Sequence, residues 1–125
     1  MSQELSSAPA ISPQVFHILL SLADADLHGY AIIQDVAERT SGEVRLTAST
    51  LYAALKRLLE SGWVDERATR PRAGDDPRRR YYHLTALGRD VARAEARRLE
   101  RLASMARAKR LLPPLQPVNA RGSRA

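Results

Sequence analysis

The stretch from Thr47 to Leu84 places the most regular helical pattern of the chain directly before two strand-like segments. Thr47 is suited to cap a helix, and Ser61-Gly62 is suited to end it. Residues 63–67 and 80–84 are β-prone, and the Pro, Gly, Asp and Arg residues between them favour a turn. The apolar side of the expected helix is formed by Leu51, Leu55, Leu58 and Leu59. We therefore predict a helix that leads into a β-hairpin.

Two shorter helical patterns precede this segment. Ser12-Pro13 supplies an N-cap followed by proline at the first helical position, which predicts a helix over 13–24. A second apolar periodicity predicts a helix over 28–41, which ends at Ser41-Gly42. The alternating residues 44–46 could pair as a minor strand.

A long helical pattern follows the hairpin, from Thr85 to about Leu112, and Pro113-Pro114 ends it. Its apolar positions fall within one sector, and a domain of this size has no obvious surface to cover them all. We therefore expect this helix to pair with its copy in a second chain, although it could instead fold back on its own core. The candidate dimerisation residues are Leu87, Val91, Ala94, Leu99, Leu102 and Met105.

The order of three helices, a hairpin and a long helix predicts a mainly α fold with a small β-hairpin. It is the arrangement of a winged helix-turn-helix plus a long C-terminal dimerisation helix, in which the third helix can enter the major groove of DNA. We expect a flexible N-terminus over 1–10, the winged helix-turn-helix DNA-binding domain over 11–85, the dimerisation helix over 86–112 and a disordered tail over 113–125.

The composition favours a polyanionic partner, because 20 Lys and Arg against 14 Asp and Glu give a net charge of +6. No apolar run approaches the roughly 20 residues that span a bilayer, and the N-terminus lacks the features of a secretory signal. We therefore expect a cytoplasmic protein without a membrane partner. The chain contains no cysteine, which excludes disulfides, thiolate nucleophiles and Cys-ligated metals.

An enzyme is the first rival class. Asp24, Asp26 and His28 cluster locally, but they lie in a polar turn between two helices, where capping explains the aspartates. The three histidines, at positions 17, 28 and 83, form no close pair with the spacing of metal ligands. We find no nucleophile, phosphate loop or metal set, and therefore expect neither catalytic activity nor a cofactor.

The third predicted helix has a polar stripe opposite its leucines. On a helical wheel this stripe consists of Ser49, Tyr52, Ala53, Lys56 and Glu60. Its hydroxyl, phenol and ammonium groups can donate hydrogen bonds to bases or phosphates, and its alanine methyl can contact thymine. The alternative is an ordinary amphipathic helix with a solvated face.

Arginines are concentrated around the predicted hairpin turn, namely Arg67, Arg70, Arg72, Arg78, Arg79 and Arg80. A wing with this charge can neutralise DNA phosphates or insert an arginine into the minor groove. Successive residues of a strand alternate faces, so at least one of the last three arginines is expected to point away from DNA. The alternative is a solvated turn in which the arginines pair with Asp75 and Asp76.

Several blocks of the sequence, in this order, resemble the PadR family of transcriptional regulators. They are His28-Gly29-Tyr30-Ala31-Ile32, Thr50-Leu51-Tyr52-Ala53-Ala54-Leu55-Lys56-Arg57-Leu58, Glu60-Ser61-Gly62-Trp63-Val64, Arg79-Arg80-Tyr81-Tyr82-His83-Leu84-Thr85 and Leu87-Gly88-Arg89. The resemblance covers about residues 11 to 110. The chain is similar to the short subfamily with a single C-terminal helix, so we expect no separate effector domain.

The resemblance implies a winged helix-turn-helix repressor that is homodimeric through its first and last helices and binds inverted-repeat operators. It places Tyr30 at the DNA-facing surface, although Tyr30 could equally be a core residue with its hydroxyl at the rim. The close approach of neighbouring backbone is the expected role of Gly29 and Gly88. The candidate DNA-binding residues are Tyr30, Ser49, Thr50, Tyr52, Lys56, Arg57, Arg78, Arg79 and Arg80.

We therefore expect a sequence-specific regulator, a repressor, that binds a double-stranded DNA operator as a homodimer. The alternative is a winged-helix protein-interaction module or anti-activator that does not bind DNA, and the salt dependence of binding would separate the two. An effector, if the family's behaviour holds, would be a small apolar or aromatic molecule at the dimer cleft. The residues that could line that cleft are Val15, Phe16, Leu99, Leu102 and Ala106, although we expect their own side chains to fill it sooner than a ligand would.

Overall fold

The computed structural model describes residues 11–67 and 79–116 of the chain. Within these ranges the element order is α1 Pro13–Ser21, β1 Leu27–His28, α2 Gly29–Arg39, α3 Ala48–Glu60, β2 Val64–Arg67, β3 Tyr81–Leu84 and α4 Ala86–Ala108. The predicted mainly helical fold with a small hairpin is confirmed. No helix in these ranges is long and apolar enough to cross a membrane.

Side-chain caps start the helices where the sequence indicates. The Ser12 hydroxyl accepts a hydrogen bond from the Val15 amide at 3.1 Å, with proline in the first turn of α1. The Thr47 hydroxyl accepts from the Thr50 amide at 3.1 Å and so caps α3. The helix α1 ends three residues before its predicted end, because the Leu22 amide closes the last turn on the carbonyls of Ile18 and Leu19 at 3.2 Å.

The hairpin strands join a three-stranded antiparallel sheet with the order β1-β3-β2. Leu84 on β3 pairs with Val64 on β2, and Tyr82 on β3 pairs with Leu27 on β1. The prediction of a minor strand over 44–46 is wrong, because the third strand is Leu27–His28. The Val44 amide donates instead to the Thr40 hydroxyl at 3.0 Å, and Leu46, 4% exposed, fills the core from a loop.

The chain divides into two compact units, Met1–Glu95 and Ala96–Ala125. The core of the first unit is formed by Ile18, Leu19, Leu22, Ile32, Val36, Leu46, Leu51, Ala54, Leu55, Leu58, Val64, Tyr82 and Leu84. It therefore combines the three short helices with the sheet, and the leucine face of α3 is its centre.

The end of α4 differs from the prediction. The helix ends at Ala108 rather than near 112, and Arg110 adopts a left-handed conformation with φ 64°. The Leu111 amide donates to the Ala106 carbonyl at 2.9 Å, which closes the helix before the prolines are reached. The predicted flexible residues 1–10, most of the wing turn and residues 117–125 of the predicted tail lie outside the described residues.

Candidate nucleic-acid interface

The face of α3 opposite its buried leucines is exposed and polar. Its exposed residues are Ser49, Thr50, Tyr52, Ala53, Lys56, Arg57 and Glu60, which include every candidate that the sequence placed on this helix. Tyr52 is 49% exposed although it is the largest side chain of the stripe. The burial of Leu51, Leu55 and Leu58 holds this face outward, since all three lie in the core.

Hydroxyl groups gather at the N-terminus of α3. The Thr47 hydroxyl donates to the Thr50 hydroxyl at 3.0 Å while it accepts from the Thr50 amide. The Ser49 hydroxyl lies 3.5 Å from the same Thr47 oxygen. This end of the helix therefore presents short polar side chains and the positive end of the helix dipole to solvent.

A cleft lies where the N-terminus of α2, the middle of α3 and the start of β3 meet. Its volume is about 280 Å³, and its lining residues are His28, Gly29, Tyr30, Tyr52, Arg79, Arg80 and Tyr82. Tyr30 is 58% exposed, so it is a surface residue and the alternative of a core position is wrong. Gly29 leaves room for the Tyr52 ring, because a Cβ at position 29 would lie 2.7 Å from Tyr52 Cζ.

The two described arginines at the start of β3 make different contacts. Arg79 Nη1 lies 3.0 Å from Nε2 of His28, and Arg80 Nη1 forms an ion pair with Glu66 Oε1 at 2.9 Å. Both arginines are exposed. The predicted pairing with Asp75 and Asp76, and Arg78 itself, lie outside the described residues.

His28 is the residue of this cleft that sequence reasoning missed. In the sequence His28 belongs to a polar turn. The signal that could have found it is its position directly before Gly29, at the start of the predicted second helix. In the structure its Nδ1 accepts from the Ala31 amide at 3.2 Å and caps α2, and its ring meets the Tyr81 ring edge-on at 5.4 Å. Its neighbour Asp26 lies 2.8 Å from Nδ1 of His83, so the turn residues tie α2 to β3.

Tyr82 closes the floor of the cleft and is 4% exposed. Burial, together with the neighbouring Tyr52 and Glu66, raises the pKa of the Tyr82 phenol, against the opposing effect of Arg80. The phenol is therefore neutral at physiological pH. Tyr82 supports the cleft through packing rather than through charge.

A polar network joins α1 to α2. Asp35 Oδ2 accepts from the Ser21 hydroxyl at 2.7 Å and from Arg39 Nε at 2.9 Å, and Arg39 Nη2 donates to the His17 carbonyl at 3.0 Å. Burial opposes ionisation of Asp35, but the hydrogen bonds from Ser21 and Arg39 outweigh it and lower the pKa of this carboxyl. Burial, and then the charge of Arg39, lower the pKa of His17.

The predicted dimerisation residues differ in exposure. In the first unit Leu87 is 52% exposed and Ala94 is exposed, whereas Val91 is partly buried and packs against the core of its own chain. In the second unit the exposed fractions of Leu99, Leu102 and Met105 are 39%, 46% and 61%. Apolar side chains therefore remain uncovered on this helix in the single chain.

Comparison with known proteins places this chain in a family. The family model described as the transcriptional regulator PadR-like family matches residues 18–94. An uncharacterized protein of Lysinibacillus sphaericus is 32% identical over 72 residues, which are 58% of this chain and 64% of that relative. The chain therefore spans less than two thirds of the relative's length.

Solved structures show the same fold. A transcriptional regulator from Clostridium thermocellum matches with a TM-score of 0.63 and 25% identity over 79% of this chain and 97% of that one. A PadR family regulator from Clostridium difficile matches with a TM-score of 0.61 and 27% identity, over 74% and 95% of the two chains. Bacillus subtilis PadR, solved with operator DNA, matches with a TM-score of 0.59 and 22% identity, over 89% of this chain and 52% of that one.

The family model covers well over half of the chain, from the middle of α1 into α4. The matched region contains the exposed face of α3 and the cleft beside it. The chain belongs to the PadR family of transcriptional regulators.

Proposed function

We propose that this protein binds double-stranded DNA as a homodimer and represses transcription at an inverted-repeat operator. In this proposal α3 lies in the major groove, and the wing, defined here as β2, β3 and residues 68–80 between them, lies along the phosphate backbone. Tyr30, Ser49, Thr50, Tyr52, Lys56 and Arg57 contact DNA from the helices, while Arg78, Arg79 and Arg80 contact it from the wing.

The observation that carries the proposal is the exposed polar face of α3 beside two exposed arginines. Lys56 and Tyr52 offer donors of the kind that reach base edges, and Arg79 and Arg80 offer charge for phosphates. The alternative of an ordinary solvated helix face does not explain why Tyr52 of α3 lies beside Arg79 and Arg80 around one cleft. Bacillus subtilis PadR, which has the same fold, was solved in complex with operator DNA, and this supports DNA as the partner by analogy of fold.

The exposed apolar residues of α4 support the dimer. Two copies related by a two-fold axis would present two α3 helices to successive major grooves about 34 Å apart, which is the reason for an inverted-repeat operator. A small apolar or aromatic effector at the dimer cleft would release DNA by changing that separation, provided that it binds the two dimer states with different affinity.

The test begins with selection of binding duplexes from a randomised pool. Fluorescence anisotropy of the selected duplex and a scrambled duplex, over several salt concentrations, then gives the affinity and its salt slope. We expect tighter binding of the selected duplex and a slope of about −0.9 for each phosphate neutralised. No enrichment in the pool, or affinity without salt dependence, would overturn the proposal and favour a protein-interaction module.

Matched variants separate base contacts from backbone contacts. Tyr52→Ala should narrow the difference in affinity between the selected and the scrambled duplex. Arg80→Ala should instead lower the affinity for both duplexes and reduce the salt slope. Arg93→Ala is the control, because Arg93 is an exposed arginine of α4 paired with Asp90 at 3.5 Å and lies outside the proposed interface. We expect its salt slope to equal that of the wild type.

A further inference from the structure

A second cavity of the first unit lies where the start of α1 meets the C-terminal half of α3 and the residues that lead into β2. We call it the Trp63 cavity, and its volume is about 280 Å³. Its apolar lining consists of Ile11, Val15, Ala54, Leu58 and Trp63. Ala54 and Leu58 are buried, whereas Val15 and Trp63 are only partly buried. The cavity therefore offers apolar surface, including the indole of Trp63, to a ligand.

Arg57 is the charged side chain of this lining. The other polar lining residues are Ser12 and Ser61, and no carboxylate is among the described residues that form the cavity. Within the described part of the chain, the Arg57 guanidinium forms no ion pair and no side-chain hydrogen bond. A guanidinium beside apolar surface is complementary to an anion that carries an apolar body.

The volume of the Trp63 cavity limits the ligand to a small molecule. It is about nine times the roughly 30 Å³ that one water occupies in the liquid, which leaves room for on the order of ten non-hydrogen atoms. It lies just below the roughly 300–1,000 Å³ of ordinary small-molecule sites. A monocarboxylic acid with an unbranched chain of about eight carbons has this size, and it combines one negative charge with an apolar body.

We propose that the Trp63 cavity binds a small monocarboxylic acid, with its apolar chain against Trp63 and its carboxylate on Arg57. The site is distinct from the proposed cleft between protomers, because a single chain lines it. The inference rests on the proposed DNA-binding function, in which the exposed Arg57 of α3 contacts DNA. A bound carboxylate neutralises that guanidinium, so the acid and DNA compete for Arg57, and each lowers the affinity of the other by the same factor.

Binding of the acid can be measured without DNA. Trp63 is the only tryptophan of the chain, so intrinsic fluorescence reports on the cavity. The probes are octanoate and 1-octanol, which share an apolar chain and differ in charge. We expect a saturable change in emission with octanoate. Arg57→Gln should lower the affinity for octanoate up to about fivefold and leave that for 1-octanol unchanged.

Arg93→Gln is the matched control, because Arg93 is an exposed arginine of α4 that does not line the cavity. We expect this variant to bind both probes as the wild type does. Equal losses of octanoate and 1-octanol affinity in Arg57→Gln would show that the guanidinium does not hold the carboxylate, and would overturn the inference.

DNA binding gives the second readout. Saturating octanoate should weaken binding of the selected duplex and reduce the salt slope by about one, because one contact between a cation and a phosphate is lost. Sodium acetate at the same concentration controls for ionic strength. Arg57→Gln should show the reduced slope without octanoate and no further reduction with it.

The outcomes separate the inference from the proposed function. No saturable change in wild-type emission, or unchanged DNA affinity at saturating octanoate, would overturn the inference. A response to octanoate only after Leu102 and Met105 are both replaced by Glu would also overturn it, because a second copy of the chain would then cover the cavity. Absence of salt-dependent DNA binding without octanoate would instead overturn the proposed function, while the fluorescence titration would still decide whether the cavity binds the acid.

Discussion

The ring of Tyr52 on α3 occupies the space into which a side chain at position 29 would project, and Gly29 at the start of α2 leaves that space open. A Cβ there would lie 2.7 Å from Cζ and 3.2 Å from Cε1 of the tyrosine. One glycine therefore sets the position of an exposed aromatic residue on α3, the helix proposed to enter the major groove. The relationship links the start of α2 to the proposed DNA-reading surface.

Gly29→Ala should weaken DNA binding with little loss of stability. The added methyl group displaces the Tyr52 ring, which is the exposed end of a side chain that can swing aside. The loss in free energy of unfolding should therefore be smaller than the about 1–3 kcal/mol of overpacking a rigid core. Anisotropy titration and urea denaturation measure the two effects.

The double variant Gly29→Ala with Tyr52→Ala provides the control. If the glycine acts through the tyrosine, the double variant binds DNA no more weakly than Tyr52→Ala alone. Losses of affinity that simply add would show that Gly29 acts on binding by another route.

Gly88→Ala should destabilise the fold strongly. A Cβ at position 88 would meet the carbonyl of Trp63 and lie 2.8 Å from Leu84 Cδ1, and the Trp63 carbonyl also accepts from the Thr85 amide at 3.1 Å. Backbone at this junction of β2 and α4 cannot move aside, so we expect a loss of at least about 1–3 kcal/mol in urea denaturation. Gly29→Ala is the matched control, because its neighbour is a mobile side chain. Equal losses for the two variants would contradict the assignment of Gly88 to backbone packing.

The free energy of unfolding should fall as the pH drops through the ordinary His17 value of 6.5. The folded pKa of His17 is lowered, so over this window the unfolded chain takes up a proton that the folded chain resists. The contribution of neutral His17 to the free energy of unfolding is complete above pH 6.5, and the loss of this contribution levels off below the folded pKa. In His17→Gln the change between pH 8 and pH 5.5 should be smaller than in the wild type. An identical pH profile for the two proteins in urea denaturation would refute this role.

The Asp35 carboxylate should act at lower pH. Its folded pKa is lowered, so its contribution is complete above the ordinary value of 3.8 and is lost as the pH falls through the folded value. Asp35→Asn should therefore be less stable than the wild type at pH 7, and the difference should shrink in strong acid. A difference that stays constant down to pH 2 would mean that ionisation of Asp35 is not its source.

Replacing Leu102 and Met105 together with Glu should convert the proposed dimer to monomers. Both side chains are about half exposed or more in the single chain, and burial of two carboxylates in an apolar interface is costly. Light scattering at micromolar concentration measures the mass. Leu111→Glu with Leu115→Glu is the control, because these leucines are 77% and 75% exposed beyond the end of α4. A monomeric wild type would end the dimer proposal.

Glu66→Gln should strengthen DNA binding. The substitution releases Arg80 from its ion pair at 2.9 Å and removes one negative charge from the wing. We expect tighter binding of both selected and scrambled duplexes and a salt slope steeper by up to about one. Asp90→Asn, which frees Arg93 on α4 in the same way, is the control and should leave the slope unchanged. A similar gain for both variants would indicate a general effect of net charge.

Local patterns were sufficient to predict the helices and the hairpin. Ser12 and Thr47 each cap a helix by accepting a hydrogen bond from the amide three residues later, and the leucines of α3 repeat within two turns. These signals span only a few residues, so they act before any tertiary contact forms. The same local periodicity separated the buried face of α3 from the polar face, which is why its candidate residues are all exposed.

The tertiary structure decided the features that depend on distant partners. Strand β1 has two residues and no pattern of its own, and it exists because β3 offers an edge for Leu27 and His28 to pair with. The local alternation of residues 44–46 predicts a minor strand, but no strand edge pairs with them in the structure, and Leu46 packs in the core from a loop.

The sequence by itself therefore determined the order of elements, the capped helix starts, the outward face of α3 and the resemblance to a family. Only the tertiary structure brought His28 to Arg79, which lies 51 residues later in the chain, and paired Arg80 with Glu66. Local propensity acts over a few residues, whereas these pairs depend on how α2 packs beside the sheet and on strand register. The cleft beside α3 is a product of that packing.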